Sequence, residues 1–205
     1  MQTTVDFLRH GEVAGGSYYR GSTDDPLTKL GWQQMHHAVA DRKWDLIISS
    51  PLHRCLDFAQ FINGQTNTPL YTAPNWREIC FGDWEGKTAE QIDSRQLMQF
   101  YQDPVNNTPN NAESLTTFLY RINLAWESLL KEHTGKHILV ISHAGVIRSL
   151  FNLLLNLPAE KIFNLQLDHA SLTRFQCIHD TPSNFISLVF HNLTQANTAL
   201  NSGIK

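Results

Sequence analysis

Apolar residues follow two different periods along the chain. Short continuous runs at Thr4-Val-Asp-Phe-Leu8, Leu46-Ile-Ile48 and His137-Ile-Leu-Val-Ile141 have the length and content of buried strands. Leu115, Phe118, Leu119, Ile122, Trp126, Leu129 and Leu130 recur at helical spacing and predict the strongest helix of the chain. Thr28 is placed to cap a helix reaching about Ala40, and Ser50-Pro51 reads as an N-cap and first helical residue of a helix reaching about Ile62. Thr88-Ala-Glu-Gln91 has the form of a capping box opening another helix. The run after Ser142-His143-Ala-Gly145 predicts a helix to about Leu155, with further strands near Leu172–Cys177 and Phe185–Phe190. The segments 13–26, 75–87 and 103–111 have no period and are expected to be loops, the last of them a loop or lid. Strands and helices alternate, so the expectation is an α/β fold with helices on both faces of one sheet. One domain is expected over residues 1–192, with a polar, frayed tail over 193–205.

Composition narrows the picture. The 205 residues suit a single medium domain with a substantial core, and 41% apolar content is ordinary for a globular protein. A net charge of −3 provides no footprint for a nucleic-acid partner. Cys55, Cys80 and Cys177 are odd in number and scattered, which argues against a disulfide framework or a zinc site and for a reducing, cytoplasmic setting. MQTTVDFLRHGE lacks the basic and apolar regions of a signal peptide, and LFNLLLNL is too short to span a membrane. The expected protein is therefore cytoplasmic, with no membrane partner.

Three strand-to-helix junctions carry the candidate chemistry: Leu8-Arg9-His10-Gly11-Glu12, Ser49-Ser-Pro-Leu-His-Arg54 and Ser142-His143-Ala-Gly145. In open α/β sheets the carboxyl ends of the strands line the ligand crevice. The junctions bring Arg9, Arg54, His10 and His143 to one edge. Guanidinium forks match phosphate oxygens, and the helix starting after His143 aims free N–H groups at the same place. Four donor or cationic groups around one point call for an anion, and phosphate is the natural one.

Phe7-Leu-Arg-His-Gly-Glu12 resembles the signature of the histidine phosphatase superfamily, which includes the cofactor-dependent phosphoglycerate mutases. Ser49–Arg54, Arg77–Gly86, Asn110–Ser114 and Ser142–Gly145 resemble its later blocks in the same order. The resemblance implies a three-layer α/β/α, phosphoglycerate-mutase-like fold with a mostly parallel sheet, and a metal-independent phosphatase with no cofactor. It implies that His10 is the nucleophile, that Arg9, Arg54 and His143 bind the phosphoryl oxygens, and that Glu78 is the acid. Tyr19–Thr28, Phe81–Glu85, Leu157–Glu160 and Leu167-Asp168 resemble the α-ribazole-5′-phosphate phosphatases of cobalamin assembly. The short stretch between Gly86 and Glu113 also resembles phosphatases more than mutases. Alternatives are a broad-specificity sugar-phosphate phosphatase, a phosphoglycerate mutase and, least favoured, a non-catalytic phosphate sensor.

The chain departs from the family pattern at Val13, where Thr is usual, at Gly16, where Asn commonly contacts phosphate, and at Phe58-Ala59. Ser22 or Thr23 are candidates to replace the Asn. Arg20, Thr23 and Trp84 are candidate substrate contacts. Glu113 is expected to be a helix-start acid. His36, His37 and His53 have no metal-ligand spacing and are expected to be surface or core residues, so no metal site is expected. The expected partner is a small phosphomonoester bound by a monomer or homodimer.

Overall fold

The computed structural model describes residues 1–180 and 184–194. Its six strands are β1 (Gln2–Arg9), β2 (Leu46–Ser49), β3 (Leu70–Thr72), β4 (His137–Ser142), β5 (Leu172–Ile178) and β6 (Phe185–Leu193). They form one sheet in the order β3-β2-β4-β1-β5-β6. The pairs β3/β2, β2/β4 and β4/β1 are parallel, while β1/β5 and β5/β6 are antiparallel. The central strands read as unbroken apolar runs because both of their faces are covered. Val5, Phe7, Ile48, Ile138 and Val140 pack with Leu115, Phe118, Ile122, Trp126 and Leu150 in one core. Their neighbours Leu8, Ile47, Leu139 and Ile141 turn to the other face and pack with Met35, Cys55, Phe58 and Ile62.

The first core is covered by α4 (Leu115–Glu132) and α5 (Ala144–Leu155), the second by α1 (Lys29–Val39) and α2 (His53–Thr66). This is the expected three-layer α/β/α arrangement. Caps follow ordinary chemistry: Thr28 accepts from Gly31 N and Ser114 from Thr117 N, while Asn67 and Asn156 close α2 and α5 in the left-handed conformation.

Several elements differ from the sequence expectation. Helix α2 begins at His53, not at Ser50-Pro51, with Leu52 as its N-cap. Ser50 instead prolongs the sheet through its N–H to Ile141 O, and its hydroxyl is turned to His143 Nε2 at 2.8 Å. The Thr88 box closes only a 3-10 turn, Ala89–Gln91, and Asp93 then caps α3 (Ser94–Gln102) through Gln96 N. Strand β3 was not foreseen, being three half-exposed residues at the sheet edge. Strand β6 runs to Leu193, where it meets Leu172 across a register irregularity, so the sheet passes the expected boundary at 192. The rest of the expected tail, 195–205, lies outside the described residues. No helix among the described residues is long and apolar enough to cross a membrane.

A smaller cluster of Trp84, Ile92 and Phe100, flanked by Tyr19, Phe81 and Phe163, joins α3 to the loop that follows Glu78.

Candidate active site

Strands β1 and β4 lie side by side in parallel, with Arg9 opposite Ser142. The chain therefore leaves the sheet at two adjacent points, and His10 N–H still donates to Ser142 O at 3.0 Å. His10 and His143 follow directly, with ring centroids 5.3 Å apart and planes at 62°. Only 7% of His10 is exposed, and His143 is buried.

The His10 tautomer follows from its partner. Nδ1 lies 2.8 Å from Gly11 O, and a carbonyl can only accept, so Nδ1 carries the proton. Burial, and then the charges of Arg9 and Arg54, hold the His10 pKa well below the ordinary value of 6.5. Nε2 is thus an unprotonated lone pair at neutral pH, the form a nucleophile needs.

His143 obeys the same logic. Arg54 Nε donates to Nδ1 at 3.3 Å, so Nε2 bears the hydrogen and donates to Ser50 Oγ at 2.8 Å. Its pKa is also held well below 6.5, by burial first and then by Arg54 and His10.

Arg54, wholly buried, sends its terminal nitrogens to Thr23 O at 2.6 Å and Gly21 O at 2.8 Å. Those carbonyls are held by Glu85, whose carboxylate accepts from the N–H groups of Gly21, Ser22, Thr23 and Phe81 at 2.9–3.1 Å and from the Thr23 hydroxyl. Arg9 donates through one terminal nitrogen to Leu167 O, while its buried Nε has no partner among the described residues. Burial, reinforced by Arg148, lowers the Arg9 pKa to about 10, so it remains a cation at neutral pH. A cationic guanidinium with an unpartnered nitrogen, next in the chain to an unprotonated imidazole, is a donor set suited to an anion.

Glu78 reaches the site from the loop before α3. Its carboxylate accepts from Gly145 N and Ile79 N at 3.0 Å each. A Cβ on Gly145 would overlap that carboxylate, so a larger residue there would push Glu78 from this position. Ser142 Oγ donates to Trp76 O at 2.8 Å and ties the loop to β4. Arg121 braces it further, donating to the carbonyls of Asn75, Arg77 and Glu78 at 2.8–3.0 Å. Glu113 accepts from Arg121 at 2.7 and 2.9 Å and so belongs to this brace as well as to the start of α4.

The structure thus brings together His10, His143, Arg9, Arg54 and Glu78. The other candidates stand differently. Thr23 is occupied by Glu85 and Arg54. Arg20 donates to Asp25 at 2.7 Å and to the carbonyls of Ala14 and Gly16, organising its own loop. Trp84 is buried against Tyr19 and Phe100. Ser22 gives its N–H to Glu85, and Gly16 faces open space. A cavity of about 500 Å³ opens over Arg9 and is also lined by Glu12, Gly16, Arg20 and His169.

Sequence reasoning did not single out His169 or Arg121, and it placed Glu85 only at the end of the Phe81–Glu85 block. The Arg121–Glu113 pair spans eight positions across a helix start, and Glu85 meets residues some sixty positions earlier, so neither has a local signal. His169 has only the family block at Leu167-Asp168 beside it. No group of three or more His, Cys, Asp or Glu among the described residues could hold a metal ion.

Known proteins resemble this chain over most of its length. The adenosylcobalamin/alpha-ribazole phosphatase of Escherichia coli (strain K12) is 28% identical over 169 residues, 78% of this chain and 83% of that protein. The probable phosphoglycerate mutase GpmB of Yersinia pestis (strain Pestoides F) is 31% identical over 179 residues, 83% of each. The solved structure of a mycobacterial glucosyl-3-phosphoglycerate phosphatase superposes with a TM-score of 0.81 at 27% identity, covering 95% of this chain and 100% of that one. The family model described as histidine phosphatase superfamily (branch 1) matches residues 5–185, and the chain belongs to that superfamily of phosphoryl-transfer enzymes.

Proposed function

We propose that this protein hydrolyses a small phosphomonoester through a phosphohistidine on His10, and that the substrate is α-ribazole 5′-phosphate. The observation that carries the first part is the fixed tautomer of His10: the Gly11 carbonyl accepts a hydrogen bond from Nδ1–H and leaves the Nε2 lone pair free, next in the chain to Arg9, whose Nε has no partner among the described residues. In the first step Nε2 bonds to phosphorus and the bond from phosphorus to the ester oxygen breaks. Glu78, as the carboxylic acid, gives its proton to the departing oxygen. In the second step Glu78 takes a proton from water, the water oxygen bonds to phosphorus, and the N–P bond breaks to regenerate neutral His10. Arg9, Arg54 and the His143 N–H stabilise the equatorial oxygens without proton transfer. His143 makes that contact by sharing the N–H it now gives to Ser50.

The substrate assignment rests on similarity to the E. coli enzyme and on the aromatic cluster of Tyr19, Phe81, Tyr101 and Phe163 beyond the Glu78 loop. Flat apolar rings suit a nucleoside-like leaving group better than a sugar acid. All three cysteines are free, in keeping with the reducing cytoplasm where we place the enzyme.

The test is phosphate release from α-ribazole 5′-phosphate, 3-phosphoglycerate and p-nitrophenyl phosphate with EDTA present. A kcat/KM for the first at least tenfold above the others supports the assignment. Equal rates on all three, or preference for 3-phosphoglycerate, contradict it.

A further inference from the structure

The turn that carries His169 is held more tightly than a connection between two elements needs. Ala170 has a φ of +52°, a left-handed conformation that costs a residue with a Cβ on the order of 1 kcal/mol. The strain is fixed by bonds to the catalytic junction. Ala170 N–H donates to His10 O and Arg9 N–H to Ser171 O, each at 3.1 Å. On the outer side, Asp168 N–H donates to Asn192 Oδ1 at 2.8 Å, and Asn192 Nδ2 returns a bond to the Asp168 carboxylate at 2.9 Å. Strain maintained by surrounding structure marks a position worth a functional reading.

What the turn achieves is the placement of one ring. The His169 imidazole lies with its centroid 5.9 Å from that of His10, the planes at 40°. It lines the cavity over Arg9. Among the described residues neither of its ring nitrogens has a hydrogen-bond partner. Three polar neighbours on that wall, Tyr18, Thr28 and Arg20, are already committed. The Tyr18 hydroxyl donates to Asp25, Thr28 Oγ1 donates to Glu12 at 2.8 Å, and Arg20 is engaged as described above. Gly16 has no side chain to offer, and a Cβ there would meet nothing within 4 Å.

The charges facing His169 are Arg9 and Arg20 on one side and Glu12 and Asp168 on the other. Burial, followed by Arg9, lowers its pKa to about 4 against the opposing pull of Glu12. At neutral pH the ring therefore has one N–H donor and one acceptor, both free.

We propose that His169 is a substrate-contacting residue whose N–H donates a hydrogen bond to a phosphoryl oxygen on the Gly16 side of the site. This rests on the reading of His10 as the phosphoryl acceptor. In this role His169 supplies binding, and the nucleophile and acid remain His10 and Glu78.

The experiment compares wild type, His169→Ala and His169→Asn. It measures inhibition constants for orthovanadate and inorganic phosphate, KM and kcat on p-nitrophenyl phosphate, thermal midpoint, and acid-labile phosphoenzyme after a rapid quench. Losing one hydrogen bond to a charged oxygen should weaken both inhibitors and raise KM about tenfold in His169→Ala. The thermal midpoint should hold, and His169→Asn, which restores a donor, should recover most of the loss. Unchanged inhibition constants in His169→Ala overturn the proposal. So does a loss that comes with a lowered midpoint and is not recovered by asparagine, since that describes a merely structural residue. A wild type that forms no phosphohistidine overturns the underlying reading instead, and this contact falls with it.

Discussion

Replacing Glu85 with glutamine tests how the Arg54 guanidinium is held. The Glu85 carboxylate spans the N–H groups of Gly21, Ser22, Thr23 and Phe81, and the carbonyls of Gly21 and Thr23 in turn receive Arg54. A glutamine oxygen can take the place of Oε1 and keep Gly21, Ser22 and Phe81, but the amide NH₂ then faces Thr23 N–H, which Oε2 accepted at 3.0 Å. One backbone donor loses its acceptor, at roughly 1–3 kcal/mol, and the remaining bonds lose their charge assistance. The sum is about 2–4 kcal/mol, because the site is half-buried and water satisfies part of the loss. For a chain of this size that lowers the thermal midpoint by roughly 5–15 °C. Arg54 loses its fixed aim, and a misplacement of about 1 Å at a reacting centre can reduce rate by about 10²-fold. Differential scanning fluorimetry and kcat on p-nitrophenyl phosphate measure the two effects together. A Glu85→Gln protein that melts within about 2 °C of wild type and keeps its kcat would refute the idea that this carboxylate organises the phosphate site.

Glu78→Gln should slow hydrolysis of alkyl phosphates by about 10²–10⁴ while slowing p-nitrophenyl phosphate far less, since that leaving group needs little protonation; equal losses on both, measured side by side, would remove Glu78 from the acid role. Buried Asp6 is a stability site: burial raises its pKa, but bonds from Arg174, His137 and Trp44 outweigh this and hold it at about 2. Its folded pKa lies below the ordinary 3.8, so its contribution of about 2 kcal/mol is present above that value and lost as pH falls towards 2. Asp6→Asn should therefore cost about 3 kcal/mol in guanidinium unfolding at pH 7, by breaking a buried ion pair, and visibly less at pH 3; a pH-independent difference would contradict the assignment.

Much of the fold was legible because the central strands are buried on both faces and α4 has a regular apolar stripe. These patterns are local, and both periods survive in sequence. The elements that differed have identifiable causes. Ser50-Pro51 has the composition of a helix start, but Ser50 serves the sheet and His143, so tertiary contacts overrode the cap preference. At Thr88 the box was real, yet only one turn follows before Asp93 starts α3. At the site, His10, Arg9, Arg54 and His143 were visible because strand ends converge by topology. The supporting residues Glu85 and Arg121 bond to backbone carbonyls and N–H groups distant in sequence, and backbone partners leave no imprint on residue type. His169 was hidden for a related reason: the turn that aims it is fixed by backbone bonds to His10 and by the left-handed Ala170, a conformation alanine does not advertise.

The central claim is that His10 Nε2 accepts the phosphoryl group. The most direct measurement is a rapid acid-free quench of the enzyme with ³²P-labelled substrate, followed by peptide mapping of the bound label. The account predicts one acid-labile, alkali-stable phosphate on the peptide containing His10, absent from a folded His10→Ala protein that no longer turns over. Label on another residue, or turnover that persists in His10→Ala, would contradict it.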